Sequence, residues 1–178
     1  MFQSGQKQDK KRLKQDFMLK FKGYTVTAQE VPEELSIVVN ISGCTHHCPG
    51  CHSEYLWDND GAQPLFDNLP TILSKYKDLT TCFCFMGGDW DQEDLLKCIK
   101  YVKEIAPKLK LCLYSGYDSC ADIWKVLPYL DYVKIGHYDE SQGGLSSRTT
   151  NQRMYKVSPE DLKVDDITYY FWRKPNEN

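Results

Sequence analysis

Apolar positions change their period several times along the chain, and each change marks an element. From Phe17 to Thr27 (FMLKFKGYTVT) the alternation is partial and Gly23 interrupts it, which predicts a short strand or hairpin. Leu35 to Ile41 (LSIVVNI) is β-branched and nearly continuous in apolar residues, the pattern of a strand covered on both faces. Gly43 then turns the chain into a cysteine loop. Beyond the polar stretch Asp58 to Gly61, Phe66 to Tyr76 reads as a helix and Thr80 to Met86 (TTCFCFM) as the next strand, which Gly87 and Gly88 end. Leu95, Ile99, Val102 and Ile105 recur at helical spacing. Asp91, Glu93 and Asp94 crowd the first turn of that helix, where carboxylates complement the helix dipole and Asp91 serves as N-cap. Pro107 stops it. A strand at Leu109 to Tyr114, a helix from Asp118 to Leu127 and a strand at Tyr132 to Gly136 follow.

Strand, helix, strand at this rhythm predicts βαβ units and therefore an α/β fold with a mostly parallel sheet. In such sheets function collects beyond the carboxyl ends of the strands. CTHHCPGC, MGGD, YSGY and GHYD each follow one of four successive strands. At 178 residues the chain suits one domain, over 17–174. It falls short of the roughly 250 residues of a complete eight-fold β/α barrel, so any barrel here is partial.

Met1 to Asp16 is a basic, polar tail, expected to be flexible, without the apolar core of a signal peptide. No later run approaches the roughly 18 apolar residues of a spanning helix. The expected location is cytoplasmic. A net charge of −3 with 26% charged residues gives no bulk attraction to nucleic acid or an acidic membrane, so neither is expected as a partner. No repeat at a solenoid period is visible, and the tail from Pro175 is expected to fray.

Eight cysteines change the picture. In a reducing cytosol the clustered Cys44, Cys48 and Cys51 read as metal ligands, while Cys82, Cys84, Cys98, Cys112 and Cys120 read as small buried residues. The C-x3-C-x2-C spacing places three thiolates on one short loop. Zinc would want a fourth ligand, which His46, His47 or His52 could supply, but a second ligand pair is missing. A complete electron-transfer iron–sulfur cluster would want a fourth thiolate. Three thiolates on a [4Fe-4S] cube leave one iron open to a substrate or cofactor.

CTHHCPGC resembles the cluster motif of radical S-adenosylmethionine enzymes, in which the open iron takes the amino and carboxylate groups of S-adenosyl-L-methionine. MGGD resembles the Gly-Gly-Glu motif that binds the methionine amino group in that superfamily, with Asp89 shortening the reach by one methylene. More narrowly, the chain resembles the activating proteins of anaerobic ribonucleoside-triphosphate reductases. The resemblance runs from near residue 35 to near residue 157. It is carried by SGCTHHCPGCHSEYLW (Ser42 to Trp57), MGGD, LYSGY (Leu113 to Tyr117) and SSRTTNQRMY (Ser146 to Tyr155). The last segment is the most discriminating, and Gly50 before the third cysteine also matches this subgroup. EVPEELS replaces the frequent Asp-Gly-Pro-Gly approach to the first core strand, so contacts of that loop do not transfer.

The resemblance implies a partial, open (β/α) barrel and one [4Fe-4S] cluster held by Cys44, Cys48 and Cys51. It implies S-adenosyl-L-methionine held by the backbone at Gly50 and His52 and by Gly87, Gly88, Asp89, Ser115 and Gly116, with Tyr117 at the same mouth. The reduced cluster would cleave the cofactor to a 5′-deoxyadenosyl radical, which abstracts hydrogen from a glycine of the reductase. The implied partners are the glycyl radical subunit of the reductase and an electron donor such as flavodoxin. Activation of pyruvate formate-lyase or another glycyl radical enzyme is the neighbouring alternative, disfavoured by TTNQR. A zinc module and an electron carrier are the alternatives from other classes.

Other candidates have plainer readings. Cys98 falls between Leu95 and Val102 on an apolar helix face, and Cys82 and Cys84 share one face of a strand. His137 and Asp139 read as solvated loop groups, Lys7 to Lys14 as a solvated tail, and Arg148 and Arg153 as contacts to a carboxylate or the partner, or simply as ion pairs with surface acids. Cys44→Ala, Cys48→Ala and Cys51→Ala are each expected to abolish reductase activation in a coupled assay. Cys98→Ala is expected to keep it and lose only packing, about 1 kcal/mol by urea denaturation; a fully active Cys48→Ala protein would refute the ligand assignment.

Overall fold

A computed structural model describes residues 18–172. The strands are β1 (Lys20–Thr27), β2 (Ser36–Ser42), β3 (Gln63–Pro64), β4 (Cys82–Met86), β5 (Lys110–Tyr114), β6 (Tyr132–Ile135), β7 (Arg153–Ser158) and β8 (Lys163–Asp166). They form one sheet in the order β3-β1-β2-β4-β5-β6-β7-β8. Among the described residues two α-helices, α1 (Leu65–Tyr76) and α2 (Gln92–Ile105), cross between strands. The expectations for the basic segment 1–16 and for the tail from Pro175 lie outside the described residues.

The chain is mixed α/β, but the sheet is not mostly parallel. β2, β4, β5 and β6 run parallel in its middle. Four of the seven strand pairings, all toward the two edges, are antiparallel. The reason lies in the connections: parallel neighbours need a crossover, which α1 and α2 supply for β2–β4 and β4–β5 and the segment 115–131 supplies for β5–β6, whereas β1 leads to β2 and β6 to β7 without an α-helix. β3 and β8 escape sequence reading because one is two residues long and the other is solvent-facing throughout, and β7 because its fully buried residues, Met154 and Val157, are three apart and do not alternate.

A second difference concerns Asp118 to Leu127. The structure has two 3-10 turns, Cys120–Ile123 and Leu127–Tyr129, where the sequence predicts a helix. Ser119 Oγ accepts from the Ala121 N–H at the first turn, and Pro128, which has no N–H to give, opens the second. Elsewhere the apolar pattern holds. The Asp91 carboxylate caps α2 by accepting from the Asp94 N–H at 3.1 Å, and Gly23 (φ +140°) sits in a bulge where the β1–β2 register shifts.

Alternation divides each central strand between two cores. Ile37, Val39, Ile41, Phe83, Phe85, Leu111, Leu113 and Val133 pack against the apolar faces of α1 and α2, with Cys98 among them. Val38, Cys82, Cys84, Cys112, Tyr132 and Met154 fill the opposite face, closed by Val31 and flanked by Leu145, Ile167 and Phe171. Cys82, Cys84, Cys98 and Cys112 are all fully buried, as their sequence contexts predict. No helix among the described residues is long and apolar enough to cross a membrane.

At the amino end of this inner face Glu34 is buried, accepts from Tyr132 Oη at 2.9 Å and pairs with Lys110 Nζ. Burial pushes the Glu34 carboxyl up, but hydrogen bonds from Lys110, Thr81 and Tyr132 outweigh it and hold it below the ordinary range. A carboxyl lowered by folding stabilises above its unfolded pKa, and that stability is lost as pH falls through the folded value. Glu34→Gln is therefore expected to lose roughly 1–3 kcal/mol at neutral pH and to flatten the acid limb of a urea-midpoint profile below about pH 4.5; an unchanged limb would exclude Glu34 as its source.

Candidate active site

The carboxyl ends of the four parallel strands open on one cavity of about 350 Å³. Its floor is a single lateral row of the sheet: Asn40, Met86, Tyr114 and Lys134 stand in register on β2, β4, β5 and β6, and all four line the cavity. Cys44, Cys48 and Cys51 line it from the loop after β2, and Gly87 and Asp89 from the turn after β4. Ser115 and Gly116 join them after β5, and Gly136 after β6. Strand-end motifs far apart in sequence thus meet at one place.

The cysteine loop is held shut at its base. Gly43 and Cys44 both donate their N–H to the Leu56 carbonyl, at 2.7 and 3.1 Å, and the Cys51 N–H returns to Cys48 O at 3.1 Å. Inside the loop His47 takes a left-handed conformation (φ +46°) and stacks on Trp57 with ring centroids 4.8 Å apart. All three thiols are free and half-buried. Burial raises the Cys44 thiol pKa above the ordinary range. Among the described residues no three His, Cys, Asp or Glu side chains converge on a single ion position.

Asp89 ties three of the loops together. It is 1% exposed, and its Oδ2 accepts from Ser115 Oγ at 2.5 Å and from the Gly116 N–H at 3.0 Å. His46 Nε2 lies 3.1 Å from the same oxygen. Oδ1 is buried and has no partner. Burial pushes the Asp89 carboxyl up, yet the hydrogen bonds from His46 and Ser115 prevail and hold it below the ordinary range. The same hydrogen bond raises His46, whose ring also meets Tyr117 edge-on at 4.8 Å. Gly116 has no room for a side chain, since a Cβ there would lie 2.4 Å from the His46 ring.

Other residues singled out by sequence take different places. Gly87 (φ +96°) lines the cavity, whereas Gly88 faces the core, where a Cβ would lie 3.0 Å from Ile41 Cδ1. Gly50 sits at the loop tip against the Glu140 carboxylate, outside the cavity lining. His52 stands at the rim, with Nε2 3.3 Å from Tyr138 Oη. His137 pairs with Asp118 at 2.8 Å on the surface, not with Asp139. Arg153 donates to the carbonyls of Thr150 and Gln152. Sequence reasoning missed Lys134 altogether. The available signal was a lysine inside YVKI, a strand whose every residue is buried.

The family described as a 4Fe-4S single cluster domain matches residues 33–157. The chain belongs to this family. Relatives of this 4Fe-4S protein carry the name anaerobic ribonucleoside-triphosphate reductase-activating protein. The one from Haemophilus influenzae is 30% identical over 114 residues, 57% of this chain and 73% of the relative. The one from Pasteurella multocida is 28% identical over 134 residues, 66% and 85% of the two chains. The one from Enterobacteria phage T4 is 26% identical over 113 residues, 59% and 72%. No solved structure matches the chain at a significant level.

Asp89 and His46 depend on one another, and their linkage has opposite signs. The raised His46 stabilises below its unfolded pKa and loses that contribution as pH rises through the folded value; the lowered Asp89 loses its own as pH falls. Asp89→Asn is expected to return the His46 pKa toward 6.5 in a proton NMR titration and to lose roughly 1–3 kcal/mol at pH 6. A His46 titration that does not move would remove Asp89 as the cause.

Proposed function

We propose that the protein is a radical S-adenosylmethionine activase that installs a glycyl radical on an anaerobic ribonucleoside-triphosphate reductase. The observation that carries this reading is the meeting of three free thiols, a glycine turn and a half-satisfied buried carboxylate in one cavity. The donor set fits a [4Fe-4S] cluster: a cube takes its thiolates on separate irons, so thiols spread around a cavity suit it better than they suit one ion. The relatives' name points to the reductase as partner.

In this reading Cys44, Cys48 and Cys51 hold the cluster. When bound, the cluster and S-adenosylmethionine together supply an electron and a 5′-deoxyadenosyl radical able to take hydrogen from a glycine. Asp89 Oδ1 accepts from the amino group of the cofactor, because it is the buried acceptor left without a donor. Ser115, the Gly116 N–H and His46 hold the other carboxylate oxygen, fixing the direction in which Oδ1 points. Gly87, lacking Cβ, lets backbone approach the ligand. A sheet left open at its β3 and β8 edges and curled as a partial barrel would give a glycine loop of the partner a way in. A cytoplasmic setting with a flavodoxin-type electron donor completes the proposal.

The test is anaerobic reconstitution with iron and sulfide, then reduction with S-adenosylmethionine and the reductase present. 5′-Deoxyadenosine by chromatography together with a glycyl doublet by electron paramagnetic resonance is the expected result. Zinc without sulfide would overturn the cluster. An intact, reducible cluster that yields no deoxyadenosine would leave an electron carrier, and deoxyadenosine without the doublet would move the target to another glycyl radical enzyme.

A further inference from the structure

Lys134 is the one charged side chain in the row that floors the cavity, between Tyr114 on β5 and Met154 on β7. It is 7% exposed, and lysine is seldom buried without a counter-charge. Its Nζ donates to two neutral carbonyls, Gly136 O at 2.5 Å and Ser115 O at 3.3 Å, and it forms no ion pair among the described residues. One N–H remains uncommitted. The Asp89 carboxylate at the same cavity bonds to His46, Ser115 and Gly116 through Oδ2 and not to Lys134. No directly bonded acid cancels the field of the Lys134 ammonium, and the groups it acts on are Cys48, Asp89, Asp118 and Cys51, Cys48 foremost.

We propose that Lys134 is a fixed positive charge that raises the reduction potential of the cluster in this cavity and so eases its uptake of an electron. The inference rests on the cluster reading above. Three thiolates burden a cluster with negative charge, and reduction adds one more, in a site walled by protein where charges interact far more strongly than in water. Net charge and burial are among the levers that set such potentials. An ammonium in the cavity floor favours the reduced form relative to the oxidised one. Burial pushes the Lys134 pKa down, to about 8, which still leaves the group protonated at neutral pH. An apolar residue would fill this position at lower desolvation cost, as Met86 does in the same row. The electron itself comes from an external one-electron reductant, and no bond is made or broken at Lys134.

The experiment is a redox titration of the reconstituted full chain, followed by electron paramagnetic resonance at pH 7 with no S-adenosylmethionine added, so that ligand binding cannot contribute. Lys134→Gln, Lys134→Met and Lys134→Arg are compared with the parent at matched iron and sulfide content. Lys134→Gln keeps hydrogen-bond donors for Ser115 and Gly136 but removes the charge; Lys134→Arg keeps the charge. The expected result is a lower midpoint potential in Lys134→Gln and Lys134→Met and a value near the parent's in Lys134→Arg. Equal potentials in all four proteins would overturn the inference while leaving the activase reading intact. So would a fall in Lys134→Arg as large as in Lys134→Met. Failure of both uncharged variants to load a cluster while remaining folded by circular dichroism would also overturn it, assigning Lys134 a structural role. A parent that takes up no iron and sulfide would overturn the activase reading, and this inference with it.

Discussion

A single buried oxygen organises the site. Asp89 Oδ2 collects a hydroxyl from Ser115, a backbone N–H from Gly116 and the His46 ring, and these three belong to loops that follow β5 and β2 while Asp89 follows β4. A carboxylate this deeply buried is costly unless its charge is met by donors. Satisfying it therefore forces three loops into one arrangement, and Gly116, which cannot accept a side chain beside His46, keeps that arrangement close. The cysteine loop inherits its position from this node, because His46 lies between Cys44 and Cys48.

Around the node the sheet sorts chemistry by strand parity. Odd and even positions of β2, β4, β5 and β6 face opposite ways, so the helix-covered face stays wholly apolar while the other carries sulfur and polar groups. Along that second face composition changes with height. Glu34, Lys110 and Tyr132 close the amino end with a charge network, Cys84, Cys112 and Val38 form a dry middle, and Asn40, Met86, Tyr114 and Lys134 open toward the cavity. The dry middle matters to function, since it walls the cavity floor from water and strengthens every charge interaction above it.

Two carboxylate and ammonium groups thus serve different ends at one site. Asp89 is matched on one oxygen and free on the other, which suits it to hold a ligand's donor in a set direction. Lys134 is bonded only to dipoles, which suits it to act at a distance.

Much of this was legible in one dimension. The 3.6 periodicity located the helices at Leu65–Tyr76 and Gln92–Ile105, and short apolar runs bounded by glycine and polar residues located the four central strands, because a strand covered on both faces is apolar nearly throughout. The spacing of Cys44, Cys48 and Cys51, the strand-end position of MGGD and YSGY, and the burial of Cys98 could all be read from local sequence, since each depends on near neighbours. The antiparallel flanks could not: β8 is an exposed edge strand, β7 buries only Met154 and Val157 fully, and the direction of each depends on which strand it meets. The helix expected from Asp118 gave way to two 3-10 turns once Ser119 and Pro128 took their places between β5 and β6. Lys134 was missed because its place depends on register, which sets it in one row with Met86 and Tyr114. Residue type and spacing are local properties and the sequence by itself determined them; which side chains share a cavity, and which charges are left without a partner, are sums over the whole sheet, and only the tertiary structure decided those.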